Sequence, residues 1–62
     1  QPMIKIHVTF KDGELITFTA TEFTLNEVAR LIVLLDDQNS DVKVINLDEV
    51  RFYKVIVEEN NG

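Results

Sequence analysis

Apolar and polar residues alternate strictly at the start of the chain. From Met3 to Phe10, Ile4, Ile6, Val8 and Phe10 share one parity, and Lys5, His7 and Thr9 take the other. That is the pattern of a half-buried strand. Lys11-Asp12-Gly13 interrupts it, and Leu15 to Ala20 supplies a second strand with Ile16, Phe18 and Ala20 as its apolar set. Two hairpin registers compete. A two-residue Asp12-Gly13 loop pairs Phe10 with Leu15 and turns Ile16 and Phe18 onto the face of Lys5 and His7. A three-residue loop, with Gly13 left-handed in a G1 bulge, pairs Phe10 with Glu14, Val8 with Ile16, Ile6 with Phe18 and Ile4 with Ala20. Only the second unites the apolar face, so the bulged hairpin is predicted.

The next segment changes period. Thr24 as N-cap and Glu27 at N3 spell a capping box, and Phe23 and Val28 spell a hydrophobic staple. The pattern predicts a helix from Leu25 to about Asp36 or Asp37, stopped by Gln38-Asn39-Ser40. At 100° per residue, Leu25, Val28, Ala29, Leu31, Ile32, Val33 and Leu35 cover an arc of roughly 200°, where a core-facing stripe needs little more than ~100°. Leu34 lies farther round still. Such a helix has more apolar surface than one sheet can cover.

Asp41 to Asn46 reads as a third strand with Val42, Val44 and Ile45 apolar. Leu47-Asp48-Glu49 reads as a turn, and Val50 to Val57 as a fourth strand. That last strand is apolar on both faces, Phe52 and Ile56 on one and Tyr53, Val55 and Val57 on the other, so the pattern leaves its register and its helix-facing side open. The predicted fold class is α+β in the order ββαββ, a four-stranded, largely antiparallel sheet packed by one helix. Residues 3–59 form the single domain. Gln1-Pro2 ahead of Met3 reads as a vector-derived remnant, and residues 60–62 as a frayed tail.

Composition narrows the functional classes. At 62 residues without cysteine, disulfides and thiolate metal sites are excluded, and a single histidine disfavours an imidazole-based zinc site. Chains this short lean on staples or on oligomerisation. With both kinds of staple set aside, oligomerisation or unusually regular packing remains, and of these a homodimer is expected. Eleven acidic residues against six basic ones give a net charge of −5. That balance argues against direct nucleic-acid binding and against an anionic membrane surface. No apolar run is long enough to span a bilayer, and a cytoplasmic location is the expectation.

No catalytic constellation is legible. His7 lacks a serine, cysteine or second base at any telling spacing, and its plain reading is a strand residue facing solvent or an interface. Asp36 and Asp37 are paired carboxylates, but a chain this short has little room for a cleft, and Asp36 to Asp41 does not match a calcium loop. The reading is therefore no enzyme, no cofactor and no metal.

Two surfaces remain. Aspartates at a helix C-terminus oppose its dipole, and the ββαββ order brings other carboxylates to them. One acidic pole of Asp12, Glu14, Asp36, Asp37, Asp41, Glu58 and Glu59 is expected, read either as solubilising charge or as a dock for a basic protein. An apolar interface of Val33, Leu34, Tyr53, Val55 and Val57 is expected from what the helix and the fourth strand cannot bury.

Met3-Ile4-Lys5-Ile6 opening a hairpin at Lys11-Asp12-Gly13, with Val44-Ile45-Asn46-Leu47-Asp48-Glu49-Val50 near the end, resembles small acidic proteins without assigned activity from Gram-positive bacteria, their phages and mobile elements. The resemblance covers most of the chain as strand-and-turn texture and transfers no functional residue. It implies an accessory factor that binds, and in the phage case inhibits, a host protein. The expected function is thus a small acidic protein-binding factor docking on a basic surface. The alternative is a structural homo-oligomeric module with no separate partner.

Overall fold

The structure, a computed structural model, describes residues 2–59. Gln1 and the tail at residues 60–62 lie outside the described residues. Six strands form two three-stranded antiparallel sheets: β1 (Pro2–Phe10), β2 (Leu15–Ala20), β3 (Glu22–Asn26), β4 (Leu31–Asp36), β5 (Asp41–Asn46) and β6 (Val50–Glu59). The first sheet has the order β2-β1-β6 and the second the order β3-β4-β5. A 3-10 turn at Leu47–Glu49 joins β5 to β6. It is capped by Asn46, whose Oδ1 accepts the Asp48 N–H at 2.9 Å.

The first hairpin has the bulged register. Ile4 faces Ala20, Ile6 faces Phe18 and Val8 faces Ile16. Phe10 N–H donates to the Glu14 carbonyl, Gly13 N–H donates to the Phe10 carbonyl, and Gly13 has φ +93°. Asp12 Oδ1 accepts the Glu14 N–H at 2.9 Å and holds the loop in an Asx turn.

The predicted α+β class is overturned. The described residues contain no α-helix, and the segment read as a helix from Leu25 to Asp36 or Asp37 is a β-hairpin. The predicted capping box does not form, because Thr24 lies within β3 opposite Val33. Asn26 Oδ1 accepts the Ala29 N–H at 2.9 Å, as a cap does, but Arg30 takes φ +57° and ends the turn after residues 27–30. One turn fixes several dihedrals for few hydrogen bonds and does not propagate unless an apolar stripe is buried. The staple residue Val28 is instead 98% exposed.

Beyond Arg30, Leu31-Ile32-Val33-Leu34-Leu35 is a short apolar run, rich enough in β-branching for a strand. Ile32 and Leu34 point into the core, and Leu31, Val33 and Leu35 lie on the other face. Of the residues in the 200° arc that overfilled a helix, Leu31, Ile32, Val33 and Leu35 divide between the two faces of β4, Leu25 lies in β3, and Val28 and Ala29 are in the turn. The four-stranded sheet is overturned for the same reason: six strands, in two layers, replace it.

The core lies between the sheets. Ile4, Ile6, Val8 and Ala20 come from the first and Ile32, Leu34 and Ile45 from the second, with Phe18, Phe23, Tyr53 and Val55 packed against them. The chain crosses from one sheet to the other at Thr21. Its N–H and its hydroxyl both donate to the Leu35 carbonyl, at 2.8 and 3.0 Å, and strands that change sheets do so at such bends. Asp41 to Asn46 and Val50 onward do not pair with each other. β5 pairs with β4, and β6 pairs with β1.

Candidate functional site

Side chains alternate across a strand, so each sheet has a core face and an outer face. On the second sheet, Leu31, Val33 and Leu35 of β4 lie outward beside Val42 and Val44 of β5. Val33 faces Val44 and Leu35 faces Val42 directly. Val42 and Val44 are 59% and 58% exposed, and Leu31, Val33 and Leu35 are half-buried. Thr24 stands across from Val33 and Glu22 across from Leu35 on β3. Five aliphatic side chains therefore form one contiguous strip without a charge inside it. Glu22 and the turn residue Asp37 mark one end, and Asn26 and Asn46 the other.

The outer face of the first sheet is mixed. Thr17, His7 and Lys54 form one row across β2, β1 and β6, and Leu15, Thr9 and Phe52 the next. These rows line a shallow depression of about 400 Å³. Phe52 is 60% exposed there. His7 Nδ1 and Thr17 Oγ1 are 2.8 Å apart in a cross-strand hydrogen bond.

The carboxylates expected at one pole fall at two ends. Asp12 and Glu14 belong to the β1–β2 turn, beside Asp48 and Glu49 of the 3-10 turn, because Lys11 N–H donates to the Glu49 carbonyl. Asp36, Asp37 and Asp41 cluster at the β4–β5 turn, which Thr21 ties to the opposite end of the first sheet through its contact with Asp37 N–H. Glu58 and Glu59 are at that same end, where β6 pairs with Met3 and Pro2. The helix that would have gathered all seven does not form.

Cations accompany several of these acids: Lys43 pairs with Asp41, Lys5 with Glu58 at 3.2 Å, and Arg30 with Asp48. Asp36 is held below the ordinary aspartate range, chiefly by the Asn39 side-chain amide, then by the Asn39 and Gln38 N–H groups and by Lys43. Desolvation, second in weight only to the Asn39 side-chain amide, opposes them. These bonds close the turn, and among the described residues no group of three or more acidic or histidine side chains is arranged to hold a metal.

Of the residues expected at the apolar interface, Val33 lies on the exposed strip of the second sheet. Leu34 is 2% exposed, in the core. Tyr53 and Val55 face inward, partly buried against the core, while Val57, beyond them on the same face of β6, is 60% exposed. Sequence reasoning missed Val42 and Val44 as surface residues. The available signal was parity: they share one face of β5, and buried Ile45 takes the other.

No described helix is long and apolar enough to cross a membrane. No family model, no curated protein and no solved structure matches this chain.

Proposed function

We propose that the protein is a small binding module that docks on another protein through the outer face of its second sheet. The observation that carries this is the uncovered strip of Leu31, Val33, Leu35, Val42 and Val44. Covering an exposed valine contributes on the order of 1–2 kcal/mol, so Val42 and Val44 are the anchors. Contiguous exposed aliphatic surface with a polar border is the signature of a binding site. Glu22 and Asp37 at one end select a partner whose apolar patch has a basic rim there. This keeps the expected preference for a basic partner but confines it to two carboxylates. A cytoplasmic site of action and an accessory rather than catalytic role belong to the same proposal.

The test is site-specific photocrosslinking from position 44, read by mass spectrometry. A single stoichiometric adduct is expected. Val44→Lys in an affinity measurement with that adducted protein should weaken binding at least tenfold, and Phe52→Lys on the opposite sheet should leave it unchanged. Binding that survives Val44→Lys, or that is lost in Phe52→Lys alone, overturns the proposal.

A further inference from the structure

The edges of the two sheets differ in how they are guarded. β5 carries Lys43 and Asp41 on the core-facing side, and an inward charge in an edge strand opposes the addition of another strand. β2 and β3 are short, at six and five residues. β6 is ten residues long, and among the described residues it pairs with β1 alone. Its only register shift lies between Thr9 and Phe10, so the run from Phe52 to Glu59 is regular and contains no proline. A long, regular edge strand is a template for pairing.

The hydrogen-bonding direction of that edge follows from the first hairpin. Phe10 directs both backbone groups toward the β2 side, and Lys11 N–H reaches Glu49 on the β6 side. By the alternation of an antiparallel ladder, Thr9, His7, Lys5 and Met3 bond toward β6 and engage Phe52, Lys54, Ile56 and Glu58. Tyr53, Val55, Val57 and Glu59 therefore direct their N–H and C=O groups outward.

We propose that this edge pairs antiparallel with β6 of a second copy, on a two-fold axis at Ile56, joining the two first sheets into one of six strands. Charge selects the register. Centring on Lys54 opposes two lysines. Centring on Val55 sets Lys54 against Ile56 and Phe52 against Glu58. Centring on Ile56 sets Lys54 of each copy against Glu58 of the other, Val55 against Val57, and Ile56 against itself. In that register the outward groups of residues 53, 55, 57 and 59 meet their counterparts. Val57 also gains an apolar neighbour for its exposed side chain, and Glu58, already beside Lys5, gains a second cation. A −5 chain resists self-association in general, but this strip is self-complementary. It is a different surface from the strip on the second sheet and does not depend on that proposal. An interface of one strand pair falls in the small, weak class, below about 1,200 Å², so a micromolar dimer is expected.

Sedimentation velocity over a concentration series should show a reversible monomer–dimer equilibrium. Lys54→Glu and Glu58→Lys should each weaken it at least tenfold. Mixing the two single variants should restore a heterodimer, because every cross-strand pair is then of opposite charge. Ile56→Cys should oxidise readily to a symmetric disulfide-linked dimer, since opposed residues in a non-hydrogen-bonded pair have Cα atoms about 4.5 Å apart. The native chain has no cysteine to confuse the result. Val44→Cys, tested in parallel, should not. A strict monomer at the highest attainable concentration overturns the proposal. So does a dimer whose affinity ignores both charge changes, or one that crosslinks through position 44 instead.

Discussion

Gly13 occupies a conformation, φ +93°, that side chains rarely adopt, while an added Cβ would meet nothing within 4 Å. The cost of substitution there is therefore backbone strain without a clash. Gly13→Val should lower unfolding free energy by about 1–2 kcal/mol, read by urea denaturation, with the first-hairpin register unchanged by NMR. Asp36 makes a second residue-scale case. Its carboxylate accepts from the Gln38 N–H at 3.1 Å and the Asn39 side-chain amide at 2.8 Å, and these bonds favour the charged form. A lowered folded-state pKa means that the stabilisation is present above the unfolded value, near pH ~4, and is lost as pH falls through the folded value. Titration by carboxyl carbon NMR should place Asp36 below the ordinary aspartate value, and Asn39→Ala should move it up toward that value.

At the scale of elements, the segment from Thr24 to Asp36 separates two folds with similar sequence signals. If a helix were staple-capped, Val28→Ser would cost measurable stability. In the hairpin, Val28 is solvent-exposed, and the change should stay within about 0.5 kcal/mol. Ile32→Ala should cost about 2–5 kcal/mol because that side chain is fully buried, and Val33→Ala much less. Alternating sensitivity along β4, measured by thermal unfolding, would exclude a helix.

Hairpin β1–β2 was legible because its information is local: strict alternation, a glycine where φ must be positive, and a register that only one loop length satisfies. β4 was not. Five consecutive apolar residues have no period, and the polar residues around the 27–30 turn serve a one-turn cap as well as a helix start. The partner of β6 was also hidden, because Ile6 opposite Val55 and Val8 opposite Tyr53 join distant parts of the chain. The candidate site shares that limit. Val33 showed as surplus hydrophobicity, but its neighbours Val42 and Val44 became visible only once β5 was paired.

At the scale of the molecule, two three-stranded layers place charge and apolar surface differently from a helix on a sheet. Acids separate to the two ends, several beside a cation, and one contiguous strip of aliphatic residues lies on the outer face of the second sheet. The exposed edge of the first sheet lies elsewhere, so a two-fold pairing there leaves both aliphatic strips free. The proposed dimer is then bivalent, and the avidity of a partner with two matching sites would depend on self-association.

The adjacency of β1 and β6 also sets an order in time. Strands β3, β4 and β5 are consecutive hairpins with near neighbours in sequence, and loop closure costs little over such distances. Pairing β1 with β6 must close at least the stretch from Phe10 to Val50, most of the described chain, and contacts of that kind slow folding. The hairpins of the second sheet are therefore expected to be structured in the rate-limiting transition state, with β6 docking afterward. Ile32→Val should slow refolding in stopped-flow measurements, while Val55→Ala should mainly speed unfolding. During synthesis, β1 would have β2 on one side and an open edge on the other until the last strand arrives. β6 would act as a latch, and a partly folded chain would be most prone to misassociation while that edge waits for it.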